Sequence, residues 1–548
     1  MKRLPPLLVA IVVAATRLRA IPRGFWEGEE VRFARALLTF DPFQQQPEAP
    51  GYPFVVALGK LVNAFVHDPF ASLIALSVVA SIAGAVLLTF AFARILDDEW
   101  CGAAGAALVY LSPAMLVFTP LPNAEAVAMA LIAAALLTYA RGDELLFGVC
   151  AGAAIAARPQ VIVAMLALVL FARKRRAAAA FIATLVVTFE PLVEAVGVDR
   201  IGHYVRANWN VTRMPWREVA MRFIAHPWGP KLLSLPLLVV AAAGAVMLLR
   251  PGERRVFGVA LFGFAHLAFC FATADRMDGV QPMLPAVVAT ALFAAAALRP
   301  IARCALPLAL AYGAGAIVYS EPLIAQRTAG LSPPAAATAY AARMLPPGGI
   351  VVYEPSLEAF ARDAAFTSAP LAALNALATR SDIPVLLLAD GGTRAPNAKT
   401  FAWPDSDVYG KVTTEHYRVV SVIPLPPPAR YIAGSGVFQL ERTADGREWR
   451  WLAQDATITL PPLPGSIAHL ELSLPENDNT LTINGRTIEV VHGKTTTIDI
   501  PVVSNAAATL TFHAARHFTP SGETRNLAVQ LLSLERRQSQ FPGSDPGN

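Results

Sequence analysis

GFWEGEEVRFARALLTFDPFQQQPEAPGYP, residues 24–53, separates an apolar N-terminal segment from a long region that is mostly apolar. It holds five carboxylates: Glu27, Glu29, Glu30, Asp41 and Glu48. Acids at a helix start complement the macrodipole and solvate a loop, and in a soluble protein that would account for them. This chain is not composed like a soluble protein. Of its 548 residues 55% are hydrophobic and 16% charged, against about 25% charged in soluble domains. Its mean hydropathy is +0.48. The composition implies an integral membrane protein with room for an appended soluble region.

A helix crossing the hydrocarbon needs ~20 apolar residues. Apolar segments at 4–20, 70–95, 101–119, 124–140, 145–157, 160–172, 177–197, 231–249, 255–273, 281–297 and 301–319 predict about 11 transmembrane helices. MKRLPPLLVAIVVAATRLRAIP has the charge pattern of a signal peptide, but no small-x-small site precedes the acidic loop, so it is read as the first span. YPFVVALGKLVNAFV, 52–66, is short and carries Lys60, which predicts an interfacial helix.

Lys and Arg set the orientation. The basic clusters Lys2-Arg3, Arg173 to Arg176, Arg250 with Arg254-Arg255, and Arg299 with Arg303 all fall on one side if the N-terminus is cytoplasmic. The acidic loop 21–69, the turns near 119–124 and 158, the loops 198–230 and 274–280, and the C-terminal region then face outward. The loop 198–230 carries five Arg, against the rule. The net charge of +5 reflects these loops and gives no reason to expect nucleic acid. The expected location is the inner (cytoplasmic) membrane, with the C-terminal region periplasmic or extracellular. The four cysteines, Cys101, Cys150, Cys270 and Cys304, form no CxxC and are read as buried, inert thiols.

Beyond the last span the pattern changes. PPGGIVVYEP, LEAFARDAAF and IPVLLLADGG alternate strand, helix and strand, which predicts a small extracytoplasmic α/β unit over 331–430. HLELSLP, TLTINGRTIEVV, TTTIDIPVV, ATLTFHAA and LAVQLLSLE are short, partly alternating and turn-separated, which predicts a β-sandwich over 440–537. Residues 538–548 are read as a disordered tail.

The candidate site is built from charges at the outward ends. Glu29 and Glu30 open a helix in the acidic loop, with Glu27 beside them and Tyr52 at its far end. Asn123 and Glu125 stand where the chain re-enters the membrane. Asn123 has the character of an N-cap, yet a carboxylate at the edge of a span is costly enough to suggest function. Arg158, Arg276 and Lys60 are basic residues at the same edge, and each alone is ordinary snorkelling. Together, a carboxylate that takes a proton from a hydroxyl and cations that hold a departing phosphate suit group transfer.

In order along residues 1–325 stand Glu29-Glu30-Val31-Arg32-Phe33, Ala49-Pro50-Gly51-Tyr52-Pro53-Phe54, Ser112-Pro113, Pro122-Asn123-Ala124-Glu125, Ala157-Arg158-Pro159, and Arg276 with Pro282 and Pro285. The set resembles the GT-C glycosyltransferases, in the branch with the protein O-mannosyltransferases and the lipid A aminoarabinose transferase. It departs from them in Glu29 where Asp is usual, and in Phe33 where Tyr is usual. The resemblance implies a GT-C transmembrane domain over 1–325. It implies inverting transfer of a sugar from a polyprenyl phosphate to a glycan, lipid or protein acceptor outside the membrane. Glu29 would be base or acceptor-orienting group, with Glu30 and Glu125 as further catalytic carboxylates. Arg158, Arg276 and Lys60 would bind the donor phosphate, and Glu27, Tyr52 and Asn123 would line the acceptor loop. No nucleotide cofactor is implied. Some members use a divalent cation, but no metal site is assigned here. Near the C-terminus, His517-Phe518-Thr519-Pro520 and Glu523 to Val529 resemble the closing strand of jelly-roll domains attached to bacterial glycosyltransferases. That motif's Arg525 is expected in an internal salt bridge.

Two other readings are a transporter or flippase, for which Glu190 and Glu194 are the best intramembrane acids, and an inactive GT-C scaffold. The sequon Asn210-Val211-Thr212 is given little weight, and Trp209, Trp216 and Trp228 fit an interfacial aromatic belt.

Overall fold

The computed structural model describes residues 4–48, 51–200, 220, 222, 225–248, 254–273, 280–362, 364–373, 383–391, 397–403, 419–425, 432–442, 448–460, 466–474, 477–502, 508–519 and 525–538. The described residues form two compact units, one ending at Ser332 and the other beginning at Pro333. Arg276, Trp209, Trp216 and the sequon lie outside the described residues.

The first unit is helical. Its elements are α1 (Leu4–Arg19), α2 (Gly28–Leu38), α3 (Pro53–Val66), α4 (Pro69–Leu96), α5 (Glu99–Tyr110), α6 (Pro113–Phe118), α7 (Glu125–Arg141), α8 (Glu144–Ala157), α9 (Ile162–Ala172), α10 (Arg175–Val196), α11 (Lys231–Leu248), α12 (Arg254–Thr273), α13 (Leu284–Ala297) and α14 (Ala302–Ala329). Among the described residues, five helices are long and apolar enough to cross a membrane: α4, α10, α11, α12 and the one containing α14. The other expected spans are present as shorter or broken helices. The molecule is a polytopic helical membrane protein with β-sheets at its C-terminal end. The last helix of this unit runs to Ala329, four residues past the expected limit at 325.

Capping residues fix the turns. Asp68, Asp98 and Asp143 accept hydrogen bonds from Ala71, Cys101 and Leu146 backbone N–H groups, starting α4, α5 and α8. Ser112 does the same for α6, with Pro113 at its first position. That Ser-Pro step splits one expected span into α5 and α6. A broken helix leaves carbonyls unmet inside the protein, and two buried arginines meet them. Arg17 Nη2 donates to the Tyr110 carbonyl at 2.6 Å, and Arg327 Nη1 to the Val117 carbonyl at 2.5 Å. Their positive charges also face helix C-termini, where the macrodipole favours them.

Contacts sort the helix ends into two sets. At one end Arg299 donates to the Leu96 carbonyl, Arg254 to the Phe171 carbonyl, and Lys174 pairs with Glu144. The other end gathers the C-termini of α1, α6, α8 and α14 with the N-termini of α7, α9 and α13. Close packing between them uses small residues. A Cβ at Gly102 would overlap the Ala93 backbone, and one at Gly244 would overlap the Phe293 carbonyl. Trp228 is 2% exposed and packs against Tyr312, whose hydroxyl donates to the Trp228 carbonyl at 3.0 Å. This corrects the aromatic-belt reading for that residue: a carbonyl contact to α14 holds its turn inside the unit. Cys101 and Cys270 are buried, but Cys150 is only half-buried and Cys304 exposed, so the thiols are not uniformly interior.

The second unit begins with α15 (Pro333–Met344). Five strands follow: β1 (Ile350–Tyr353), β2 (Ser368–Pro370), β3 (Val385–Asp390), β4 (Lys399–Ala402) and β5 (Val419–Pro424), in the order β2-β1-β3-β5-β4. The first three are parallel, and β5 runs antiparallel to β3 and β4. Then come β6 (Ile432–Ala433), β7 (Val437–Arg442), β8 (Glu448–Leu452), β9 (Asp455–Leu460), β10 (Ser466–Ser473), β11 (Asn479–Ile483), β12 (Arg486–Val490), β13 (Thr496–Val502), β14 (Ala508–Ala514) and β15 (Val529–Gln538). They form two antiparallel sheets, β13-β10-β15-β8-β7 and β12-β11-β14-β9-β6. Alternating residues such as Ile458, Leu470, Leu510 and Phe512 fill the core between them. Arg525 pairs with Glu441 at 2.6 Å, the internal salt bridge expected of it.

Candidate active site

The acidic loop folds back on itself. Asp41 and Gln46 exchange backbone hydrogen bonds at 3.0 and 2.9 Å, and the Asp41 carboxylate accepts from Phe43 and Gln44 N–H. Asp41 is therefore a turn residue. Gly51 and Tyr52 follow in left-handed conformation, with φ of 97° and 43°. An aromatic residue there is strained, by about 1–3 kcal/mol. The Phe33 ring, edge-on at 5.0 Å, packs against Tyr52. The Tyr52 side chain is 5% exposed, at the start of α3.

Glu29 and Glu30 are neighbours in sequence and diverge in space. Glu30 is buried and accepts from the Trp26 N–H at 2.7 Å. The Trp26 ring carries the Arg327 guanidinium 4.0 Å from its centre. Burial raises the Glu30 carboxyl to about 8, against the pull of the Trp26 N–H and Arg327. Glu27 lies half-buried in the same cluster, its carboxyl pushed up by burial and by Glu30.

Glu29 turns the other way. Its carboxyl lies within electrostatic range of Glu48, Arg158, Gln281 and Arg32. Burial first, and the Glu48 charge second, raise it to about 7. Arg32 forms an ion pair with Glu48, which places Glu48 beside the site.

Glu125 is at the first position of α7 and 1% exposed. Asn123 Oδ1 accepts from the Glu125 N–H at 3.1 Å, so Asn123 orders the helix start. Glu125 Oε1 is ion-paired with Arg158 Nη1 and accepts from Gln281 Nε2 at 2.6 Å. Arg158 stands at the end of α8, before the Pro159–Val161 turn that leads into α9. In that turn Gln160 Nε2 donates to the Tyr52 hydroxyl at 3.2 Å. Burial, with the Glu29 charge, pushes the Tyr52 phenol up. Gln281 opens the Gln281–Met283 turn before α13. His266 of α12 holds that turn through the Pro282 carbonyl, 2.7 Å from its Nε2.

The structure thus brings Glu29, Glu125, Arg158, Tyr52 and Asn123 together. It groups Glu27 and Glu30 on the Trp26–Arg327 side. Lys60 is exposed, two turns along α3 from Tyr52, and no contact ties it to Arg158 among the described residues. Gln160, Gln281 and His266 were not foreseen, and Glu48, one of the five acids of the loop, had been given no role at the site. Each Gln adjoins a proline at a turn entering the membrane, and that position is the only sequence signal they give. Glu190 and Glu194 are exposed on α10. Among the described residues, no group of three or more His, Cys, Asp or Glu is placed to hold a metal ion.

Two carboxylates, a buried guanidinium and an amide thus meet at helix ends that come from separate parts of the chain. Such a cluster can bind an anion through Arg158 and accept a proton at Glu29.

No family model matches the chain, and no curated protein matches it. Solved structures with some likeness include the crystal structure of ArnT from Cupriavidus metallidurans bound to undecaprenyl phosphate. It is 14% identical, with 76% of this chain and 97% of that chain covered and a TM-score of 0.48. The cryo-EM structure of arabinosyltransferase EmbB from Mycobacterium smegmatis is 12% identical, with 97% of this chain and 64% of that chain covered and a TM-score of 0.33.

Proposed function

We propose that this chain is a GT-C-type membrane glycosyltransferase. In this reading it transfers a sugar from a polyprenyl phosphate to an acceptor hydroxyl at the outer membrane face, with inversion. The observation that carries the reading is the Gln281–Glu125–Arg158 network, with Glu125 and Arg158 buried and the Glu29 carboxyl in electrostatic range of it, assembled from four separate segments. The ordered motifs of the helical region support it. The inner membrane, with the second unit outside, is part of the same proposal.

The cluster supports the following step. The acceptor oxygen attacks the anomeric carbon, and Glu29 takes its proton. The bond from that carbon to the phosphate oxygen breaks, and the oxygen leaves with the electron pair. Arg158 holds the growing charge on the phosphate. Glu125 and Gln281 aim Arg158 and Glu29, and Asn123 fixes Glu125. With a carboxyl near 7, Glu29 is half ionised near neutral pH, which suits a general base.

The test is transfer in reconstituted membranes supplied with radiolabelled polyprenyl-phosphate sugars, wild type against Glu29→Gln. The expected result is transfer from at least one donor by the wild type and a loss of about a hundredfold or more in the variant. A folded wild type that transfers from no donor would overturn the reading. Normal transfer by the variant would remove Glu29 from the role of base.

A further inference from the structure

We infer that Gln160, Tyr52 and Glu125 form a subsite for the hydroxyl groups of the transferred sugar, with Gln160 as a specificity-determining residue. The inference rests on the glycosyltransferase reading and deepens it.

It starts from hydrogen-bonding capacity left unused. Glu125 is buried, and its Oε1 takes both Arg158 and Gln281. Its Oε2 is buried with no partner among the described residues. Gln160 spends its Nε2 on the Tyr52 hydroxyl, and its Oε1 is likewise buried and without a partner there. Tyr52 accepts in that bond, so its own O–H proton is available to donate. Buried acceptors are rarely left unmet in folded proteins, and two at one site call for a bound group that supplies donors.

The chemistry of a prenyl-phosphate sugar assigns its parts. The prenyl chain has no donor. The phosphate is acceptor-rich and negative, so it belongs with Arg158 and away from the Glu125 oxygen. The sugar hydroxyls both donate and accept. One hydroxyl can donate to Gln160 Oε1 while accepting from Tyr52, and another can donate to Glu125 Oε2. The strained backbone at Tyr52 is consistent with a phenol held in place for such a contact.

The test compares donors within one protein, so that loss of folded material cancels. Polyprenyl-phosphate mannose, glucose and arabinose are each assayed beside their monodeoxy analogues, in wild type, Gln160→Leu and Gln160→Glu. Wild type should prefer the hydroxylated donor by about tenfold in kcat/KM at one ring position, as one hydrogen bond allows. Gln160→Leu should bring that ratio to about one, while Gln160→Glu, which keeps an acceptor oxygen, should retain it. Indifference of the wild type at every ring position, or an unchanged ratio in Gln160→Leu, would overturn the subsite. Absence of wild-type transfer from every donor would instead overturn the glycosyltransferase reading beneath it.

Discussion

Two adjacent glutamates serve different neighbourhoods, and their substitution should separate chemistry from stability. As general base, Glu29 must be ionised, so kcat/KM should rise with pH through a midpoint of about 7. The Glu48 charge helps raise that midpoint and Arg32 lowers it. Glu48→Gln removes the repulsion and frees Arg32, so the midpoint should fall below 7. A midpoint that stays put would show that Glu48 does not act on the titrating group. The same shift has a stability sign. Folded Glu29 keeps its proton up to about 7, against an ordinary value of 4.5. The folded chain therefore binds more protons between those values, and stability falls as pH rises through them. Glu29→Gln should melt above wild type at pH 8 and level with it near pH 4, read by thermal shift in detergent. Glu30→Ala should instead lower stability by about 1–3 kcal/mol, because the Trp26 N–H loses its buried acceptor. The acidic pair was legible in the sequence. Its divergence was not, because side-chain direction depends on Trp26, Arg327 and Gln281, none of which adjoins Glu29 in sequence.

Helices were the most legible elements, since long apolar runs bounded by Asp, Ser-Pro and Gly state both length and ends. The turns holding Gln160 and Gln281 were less so. A neutral amide beside a proline has the composition of an ordinary turn, and only the partners across the unit give it meaning. The break between α5 and α6 was visible as Ser112-Pro113, but the arginines that meet the carbonyls at the ends of α5 and α6 come from α1 and α14. Arg17→Met and Arg327→Met should each cost about 1–3 kcal/mol by leaving a buried carbonyl without its donor. Packing gives a paired contrast. Gly102→Ala forces a methyl into the Ala93 backbone and should cost about 1–3 kcal/mol. Gly330→Ala meets nothing within 4 Å and lies in extended backbone, so it should melt within a degree or two of wild type. Equal losses at both positions would mean that close approach of α4 and α5 is not what Gly102 provides.

At the scale of the whole chain, charge and connectivity point the same way. Arg254, Arg299 and Lys174 join helix ends on one side, while Glu29, Glu125, Arg158 and Gln281 meet on the other. The first and last helices of the unit, α1 and α14, both finish on the side of the acidic cluster, where the Arg23 N–H donates to the Arg327 carbonyl and Arg327 stacks on Trp26. The basic set belongs in the cytoplasm by the distribution of Lys and Arg, so the acidic cluster and the chain after Ala329 are expected outside. Fusions after Gly330 test this directly: alkaline phosphatase should be active there and green fluorescent protein dark, with the reverse after Arg173. A fluorescent fusion at 330 would place the site in the cytoplasm, where nucleotide sugars are present, and would remove the reason for a lipid-linked donor. The acids of residues 24–53 would then need another explanation, because their value in this fold depends on which compartment they face.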